Sequence, residues 1–88
     1  MKLLKEDIIS FEQIMIALKT KGFVLNLFLA HALKNELWFY NESSNVEVVM
    51  ELATVRCQVK NPFKRVMIPF TDFTVEWFCT TVKRLEGE

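Results

Sequence analysis

The chain has 88 residues, of which 51 per cent are hydrophobic and 25 per cent charged, and its 11 basic and 11 acidic side chains give a formal net charge of zero. A single domain over residues 1–88 with a dense core is expected, because so short a chain buries only about 60–65 per cent of its unfolded surface. The composition is wrong for a disordered chain, and the charge balance argues against both a generic phosphate-backbone binder and an acidic nucleic-acid mimic, so any electrostatic role is local.

The amino terminus, Met1-Lys2-Leu3-Leu4-Lys5, opens like a signal peptide but meets Glu6-Asp7 where an apolar segment would continue, which argues against export. Ser10-Phe11-Glu12-Gln13 has capping-box spacing, and Phe11, Ile14, Met15 and Leu18 then recur at helical intervals. A helix over Ser10–Thr20 is predicted, with Lys19 and Lys21 suited to its carboxyl end and Gly22 to a left-handed stop.

From Phe23 to Asn35 neither period is clean, and the leucines and alanines favour a short, buried, central second helix over a strand. The apolar run within it, Phe23–Leu33, is broken by Asn26 and His31 and is too short for roughly 30 Å of hydrocarbon, so no membrane partner is expected and the reading is a soluble, cytoplasmic protein. Two cysteines, Cys57 and Cys79, read as reduced, buried thiols.

From Glu36 the pattern turns to β. Glu36–Asn41 is one strand, Ser43–Asn45 a turn, and Val46–Val59 a long strand in which apolar parity slips from even positions (Val46, Val48, Met50, Leu52) to odd ones (Ala53, Val55, Cys57, Val59). A bulge or bend near Leu52-Ala53 is therefore predicted, the long strand serving two hairpins. Lys60–Phe63 is the second turn, with Val59 opposite Lys64, Cys57 opposite Val66, Val55 opposite Ile68 and Ala53 opposite Phe70. Pro69 marks the third strand as an edge. Thr71 or Asp72 then caps a last helix with Val75, Phe78, Val82 and Leu85 on its buried stripe, Trp77 flanking them and Gly87 at its end. The expected fold is α+β: amino-terminal helices, a three-stranded antiparallel meander with a bent long central strand, and a carboxyl-terminal helix.

No motif for catalysis stands out. His31 is the only histidine, and it lies in an apolar run beside neither an acid nor a thiol. The two glycines, Gly22 and Gly87, make no phosphate-cradling loop, and no zinc spacing joins His31, Cys57 and Cys79. The chain is read as a non-enzyme with no cofactor and no metal.

Charge order is the remaining signal. Glu36, Glu42, Glu47 and Glu51 precede Arg56, Lys60, Lys64 and Arg65 without intermixing. On the predicted meander the acids fall on the first hairpin and the bases on the second, with Thr54, Arg56, Gln58 and Arg65 on the outer face of the second and Lys60, Phe63 and Lys64 near its tip. Glu47 and Glu51 share a face of the first, where solvated charges are the simplest reading. Trp38 and Tyr40 are expected beside Val48 and Met50, leaving Leu37, Phe39 and Val49 on the opposite face as a second buried layer or an exposed apolar patch.

These features favour a small regulator, inhibitor or accessory subunit that docks on a larger protein through Glu47, Glu51, Arg56, Gln58, Lys60, Phe63, Lys64 and Arg65. An RNA- or DNA-binding module built on the basic hairpin is the first alternative, and a small enzyme or ligand binder with an unrecognised pocket the second. A homodimer is compatible with each.

Overall fold

The computed structural model describes residues 4–32 and 35–87. The readings made of residues 1–3, Leu33 and Lys34, and of the His31 side chain, lie outside the described residues.

Helix α1 spans Lys5–Thr20, a turn and a half longer at its start than the Ser10 cap implies. Ser10 lies inside the helix; the entry is set at Leu4, whose N–H donates to the Asp7 carboxylate at 3.3 Å, the backward half of a capping box. Ile14, Ala17 and Leu18 are buried and Phe11 and Met15 pack against the core, whereas Ile8, Ile9 and Ile16 face outward. The helix stops as a Schellman motif. Phe23 N–H bonds to Leu18 O at 2.9 Å and Gly22 N–H to Lys19 O at 3.1 Å, with Gly22 at φ +84°, where a Cβ is unfavourable.

The stretch after it divides between the two elements weighed for it. Val24–Leu25 form strand β1, and Leu27–Ala32 form a short helix α2. This helix is not central: Leu27 and Phe28 are exposed, and it packs beside the next strand rather than within the core.

A five-stranded antiparallel sheet follows in the order β1-β2-β3-β4-β5, with β2 Glu36–Tyr40, β3 Glu47–Glu51, β4 Arg56–Lys60 and β5 Arg65–Pro69. The predicted three-stranded meander is corrected on two points. The sheet gains β1, and the long strand is two strands folded back on each other through a four-residue turn, Leu52–Val55. The slip in apolar parity is thus a reversal and not a bulge, and it puts Val48 opposite Val59 and Met50 opposite Cys57. The last hairpin pairs two residues further along than predicted, with Val59 opposite Val66 and Cys57 opposite Ile68 around a turn of residues 61–64. Even a shift of two keeps the same side chains on the same face. β5 is an edge strand, as Pro69 implies.

The Leu52–Val55 turn contains none of the residues that usually make turns. Val55 has φ +56°, a left-handed backbone that costs a β-branched residue roughly 1–2 kcal/mol. Its surroundings hold it there. Val55 O accepts from Phe70 N–H at 3.0 Å, Leu52 N–H donates to Asn35 O at 2.9 Å, and Thr54 Oγ1 donates to Glu51 Oε1 at 3.2 Å.

At the opposite end of the sheet two asparagines do equivalent work. Asn41, directly after β2, accepts from Ser43 N–H through Oδ1 and donates from Nδ2 to Lys21 O at the end of α1. Asn61, directly after β4, accepts from Phe63 and Lys64 N–H and donates to Leu85 O, near the end of the last helix, at 3.0 Å. Each amide orders its own hairpin turn and satisfies a carbonyl left open by a helix terminus. Asn61 is buried, so its bonds are made away from competing water.

Helix α3 spans Val75–Glu86. Thr74 caps it, accepting from Trp77 N–H at 3.0 Å; Phe70–Asp72 form a 3-10 turn, so neither Thr71 nor Asp72 is the cap. Phe78, Thr81 and Leu85 are buried and Val82 and Trp77 partly so, while Val75 is exposed. The core joins Ile14 and Leu18 of α1, Phe78 and Leu85 of α3, Phe70, and Phe39, Val48, Met50, Cys57 and Val59 from one face of the sheet. Both long helices therefore cover that inner face.

Replacing Val55 with glycine removes the left-handed strain but also a half-buried side chain, two effects of similar size. Val55→Gly is expected to keep stability within about 1 kcal/mol, whereas Val59→Gly, at a fully buried strand position, is expected to cost about 3 kcal/mol or more. Urea denaturation of the two variants makes the comparison.

Candidate functional site

The side chains that alternate with the core set form the outer face of the sheet. The strand register arranges them in three rows: Glu36, Glu51, Arg56 and Pro69; Trp38, Val49, Gln58 and Met67; Tyr40, Glu47, Lys60 and Arg65. Read across the sheet, β2 and β3 carry the acids and β4 and β5 the bases. The acids and bases meet along the β3–β4 seam, where Glu51 lies opposite Arg56 and Glu47 opposite Lys60. The charge sorting is real, but it runs from strand to strand and does not separate opposite ends of a bent strand. The distance between the two groups falls to one strand spacing, about 5 Å.

Side chains are linked across these rows. Gln58 Nε2 donates to Glu51 Oε2, and Trp38 Nε1 donates to Glu36 Oε1 at 3.1 Å. Lys60 reaches over β3 to set its Nζ 4.3 Å from the centroid of the Trp38 ring, a cation–π contact worth about 0.5–1 kcal/mol at a partly exposed site. Its stem crosses the strand that carries Val49, and Val49 is buried although it faces away from the core. Arg56 is half-buried, and its Nε has no hydrogen-bond partner among the described residues. Tyr40, Arg65, Met67 and Pro69 are exposed.

Of the residues expected to bind a partner, Glu47, Glu51, Arg56, Gln58, Lys60 and Arg65 share this face. Phe63 and Lys64 lie in the turn between β4 and β5, and Phe63 is 82 per cent exposed. Thr54 does not join them; it belongs to the Leu52–Val55 turn.

The expected grouping of Leu37, Phe39 and Val49 is corrected. Leu37 pairs with Met50 and Phe39 with Val48, so both face the core, and Val49 lies on the other face beside Trp38. Phe39 is buried, as a second layer under the helices requires, but the three residues form no common patch. Trp38 and Tyr40 consequently move to the outer face, where sequence reasoning had not placed them. The signal was available in their polar atoms: Leu37 and Phe39 lack any, whereas indole and phenol carry groups that prefer a wet surface.

Elsewhere the described residues offer little for chemistry. Cys57 is buried on the inner face, and burial, with a smaller effect of the Glu51 charge, pushes its thiol up to about 12, the opposite of what a nucleophile needs. A groove of about 300 Å³ between α1 and the start of α3 is lined by apolar side chains including Ile16, Phe73 and Val75. A second hollow of about 370 Å³ gathers Lys21, Cys79, Lys83 and Glu86. Among the described residues no group of three His, Cys, Asp or Glu side chains is placed to hold a metal ion, and no helix is long and apolar enough to cross a membrane.

No family model, curated protein or solved structure matches the chain.

The raised Cys57 thiol has two consequences. At pH 8, iodoacetamide is expected to modify the native protein at Cys79 at most and to reach Cys57 only in denaturant, which intact mass spectrometry reads directly. Because the folded value lies above the unfolded one, the stability linked to this thiol is complete below about pH 9 and is lost as pH rises from about 9 to about 12.

Proposed function

We propose that this chain is a non-enzymatic interaction protein, a regulator, inhibitor or accessory subunit, that docks on a larger protein through the outer face of its sheet. One observation carries the reading: the face presents Trp38, Tyr40 and Met67 within a field of three acids on β2 and β3 and three bases on β4 and β5. Partly exposed aromatic side chains and methionine are the residues that interfaces favour, and ordered opposite charges steer an encounter and fix its orientation. The same layout weighs against nucleic acid as the partner, because Glu47 and Glu51 stand beside Lys60 and Arg56 and cancel the field that phosphates would need.

A docking role also fits how the face is built. The Trp38–Lys60 and Gln58–Glu51 contacts hold long side chains in place before any partner arrives, which lowers the ordering cost of association.

Affinity capture from native lysate, with and without nuclease, tests the proposal. The wild-type chain is expected to retrieve a defined protein after nuclease treatment. Tyr40→Ala with Arg65→Glu, both exposed positions, is expected to reduce that recovery at least about tenfold while leaving the circular dichroism spectrum and denaturation midpoint unchanged. Recovery that disappears with nuclease and falls steeply with salt would assign the face to nucleic acid instead.

A further inference from the structure

The outer face is its own electrostatic complement, and from this we infer that it binds a second copy of the chain. The inference rests on the reading of this face as a docking surface and names a partner for it.

The face is neutral in sum and divided along the β3–β4 seam: Glu36, Glu47 and Glu51 on one side, Arg56, Lys60 and Arg65 on the other. Two such faces can be brought together about a two-fold axis in two simple ways. With the axis running across the strands, acid meets acid and base meets base. With the axis running along the seam, β3 of one copy lies over β4 of the other and β2 over β5, so every acidic strand meets a basic one. Only the second arrangement is allowed by charge, and it is isologous, the commonest symmetry among oligomers.

The rows then match as well as the strands. At the centre Val49 lies over Gln58 of the second copy, and Glu51 and Glu47 lie over its Arg56 and Lys60. On the flanks Trp38 meets Met67, a favourable sulfur–aromatic pairing, and Tyr40 meets Arg65, a cation–π pairing. The Arg56 guanidinium, whose Nε lacks a hydrogen-bond partner among the described residues, gains the carboxylate of Glu51 from the second copy. Sheets packed face to face rotate by about 30°, so the match is closest at the centre and loosens towards the corners.

Size sets the strength. Four strands of five residues give a footprint of about 19 by 17 Å from the ordinary strand and residue spacings. Such a footprint, about 320 Å² on each copy, falls below the roughly 1,200–2,000 Å² that stable specific interfaces bury, so a weak, transient dimer is expected, with a dissociation constant in the upper micromolar range that rises with salt.

Sedimentation equilibrium from about 10 μM to about 1 mM, at low and high salt, tests the inference on the full chain and on three variants. Arg56→Glu with Lys60→Glu leaves five acids on the face against Arg65, and Glu47→Lys with Glu51→Arg leaves five bases against Glu36. Each pair alone is expected to be monomeric, and an equimolar mixture of the two to form a heterodimer. Because like charges then oppose each other within one sheet, a third variant carries all four substitutions, which restores opposite charges across the seam. It is expected to fold, to dimerise with itself, and to form no mixed dimer with wild type by native mass spectrometry.

A wild-type chain that stays monomeric to about 1 mM at low salt, or dimers that persist in both charge-altered pairs, would overturn the inference. If the chain is monomeric while the Tyr40 and Arg65 changes still abolish capture of another protein, the second copy is ruled out and the docking face stands. A charge-dependent dimer with no captured protein supports the second copy and removes docking on a larger partner.

Discussion

The arrangement of this molecule depends on the left-handed backbone at Val55. Residues 46–59 read as one continuous β segment, and nothing in Leu52-Ala53-Thr54-Val55 has an intrinsic preference for reversing the chain. The reversal is imposed from outside: β2 extends its ladder to Leu52 through Asn35 O, and the start of the 3-10 turn extends the last hairpin to Val55 through Phe70 N–H. Hydrogen bonds on both flanks hold a conformation the residue would not choose, at a cost small beside the core it allows to assemble. With the chain turned there, β3 and β4 become neighbours, and Val48, Met50, Cys57 and Val59 come together on one face.

The same turn decides what the outer face is. A charge order that is linear in sequence, acids and then bases, becomes nested about residues 52–55, so that Glu51 pairs with Arg56 and Glu47 with Lys60. Around the neighbouring hairpins Glu36 lies opposite Glu51 and Lys60 opposite Arg65, which puts like charges side by side within each half. Such placements cost a few tenths of a kcal/mol or more in a free monomer. A partner surface that sets the opposite sign over each half would relieve them, which joins the physical oddity of the face to its proposed role. At the far end of the sheet Asn41 and Asn61 tie the helix termini to the hairpins, so the platform behind the face is anchored at both ends.

How much of this was legible in the sequence follows from which constraints are local. The end of α1 was readable because Gly22 has one job that other residues do badly. The slip of parity between Leu52 and Ala53 was readable too, but it marks only that the buried face changes, and a bend and a reversal leave the same trace. The choice between them lies in the Asn35–Leu52 and Val55–Phe70 bonds, which are tertiary. Strand β1 was missed because two residues carry no period, and the Thr74 cap because the 3-10 turn before it consumes Thr71 and Asp72. For the candidate site, the charged residues were found by their order, whereas Trp38 and Tyr40 were put on the wrong face because the register of β2 against β3 was set one residue out. A one-residue error exchanges the faces of a strand completely.

The claim on which the rest stands is that β3 and β4 are adjacent. Cross-strand nuclear Overhauser effects measure it most directly, since antiparallel neighbours bring backbone protons of paired residues within reach. The structure requires such contacts between Val49 and Gln58 and between Met50 and Cys57, with Phe70 N–H protected from exchange by Val55 O. A spectrum in which residues 46–59 show only the sequential contacts of one extended strand, and residues 56–60 meet 65–69 alone, would contradict the fold and the charge-sorted face together.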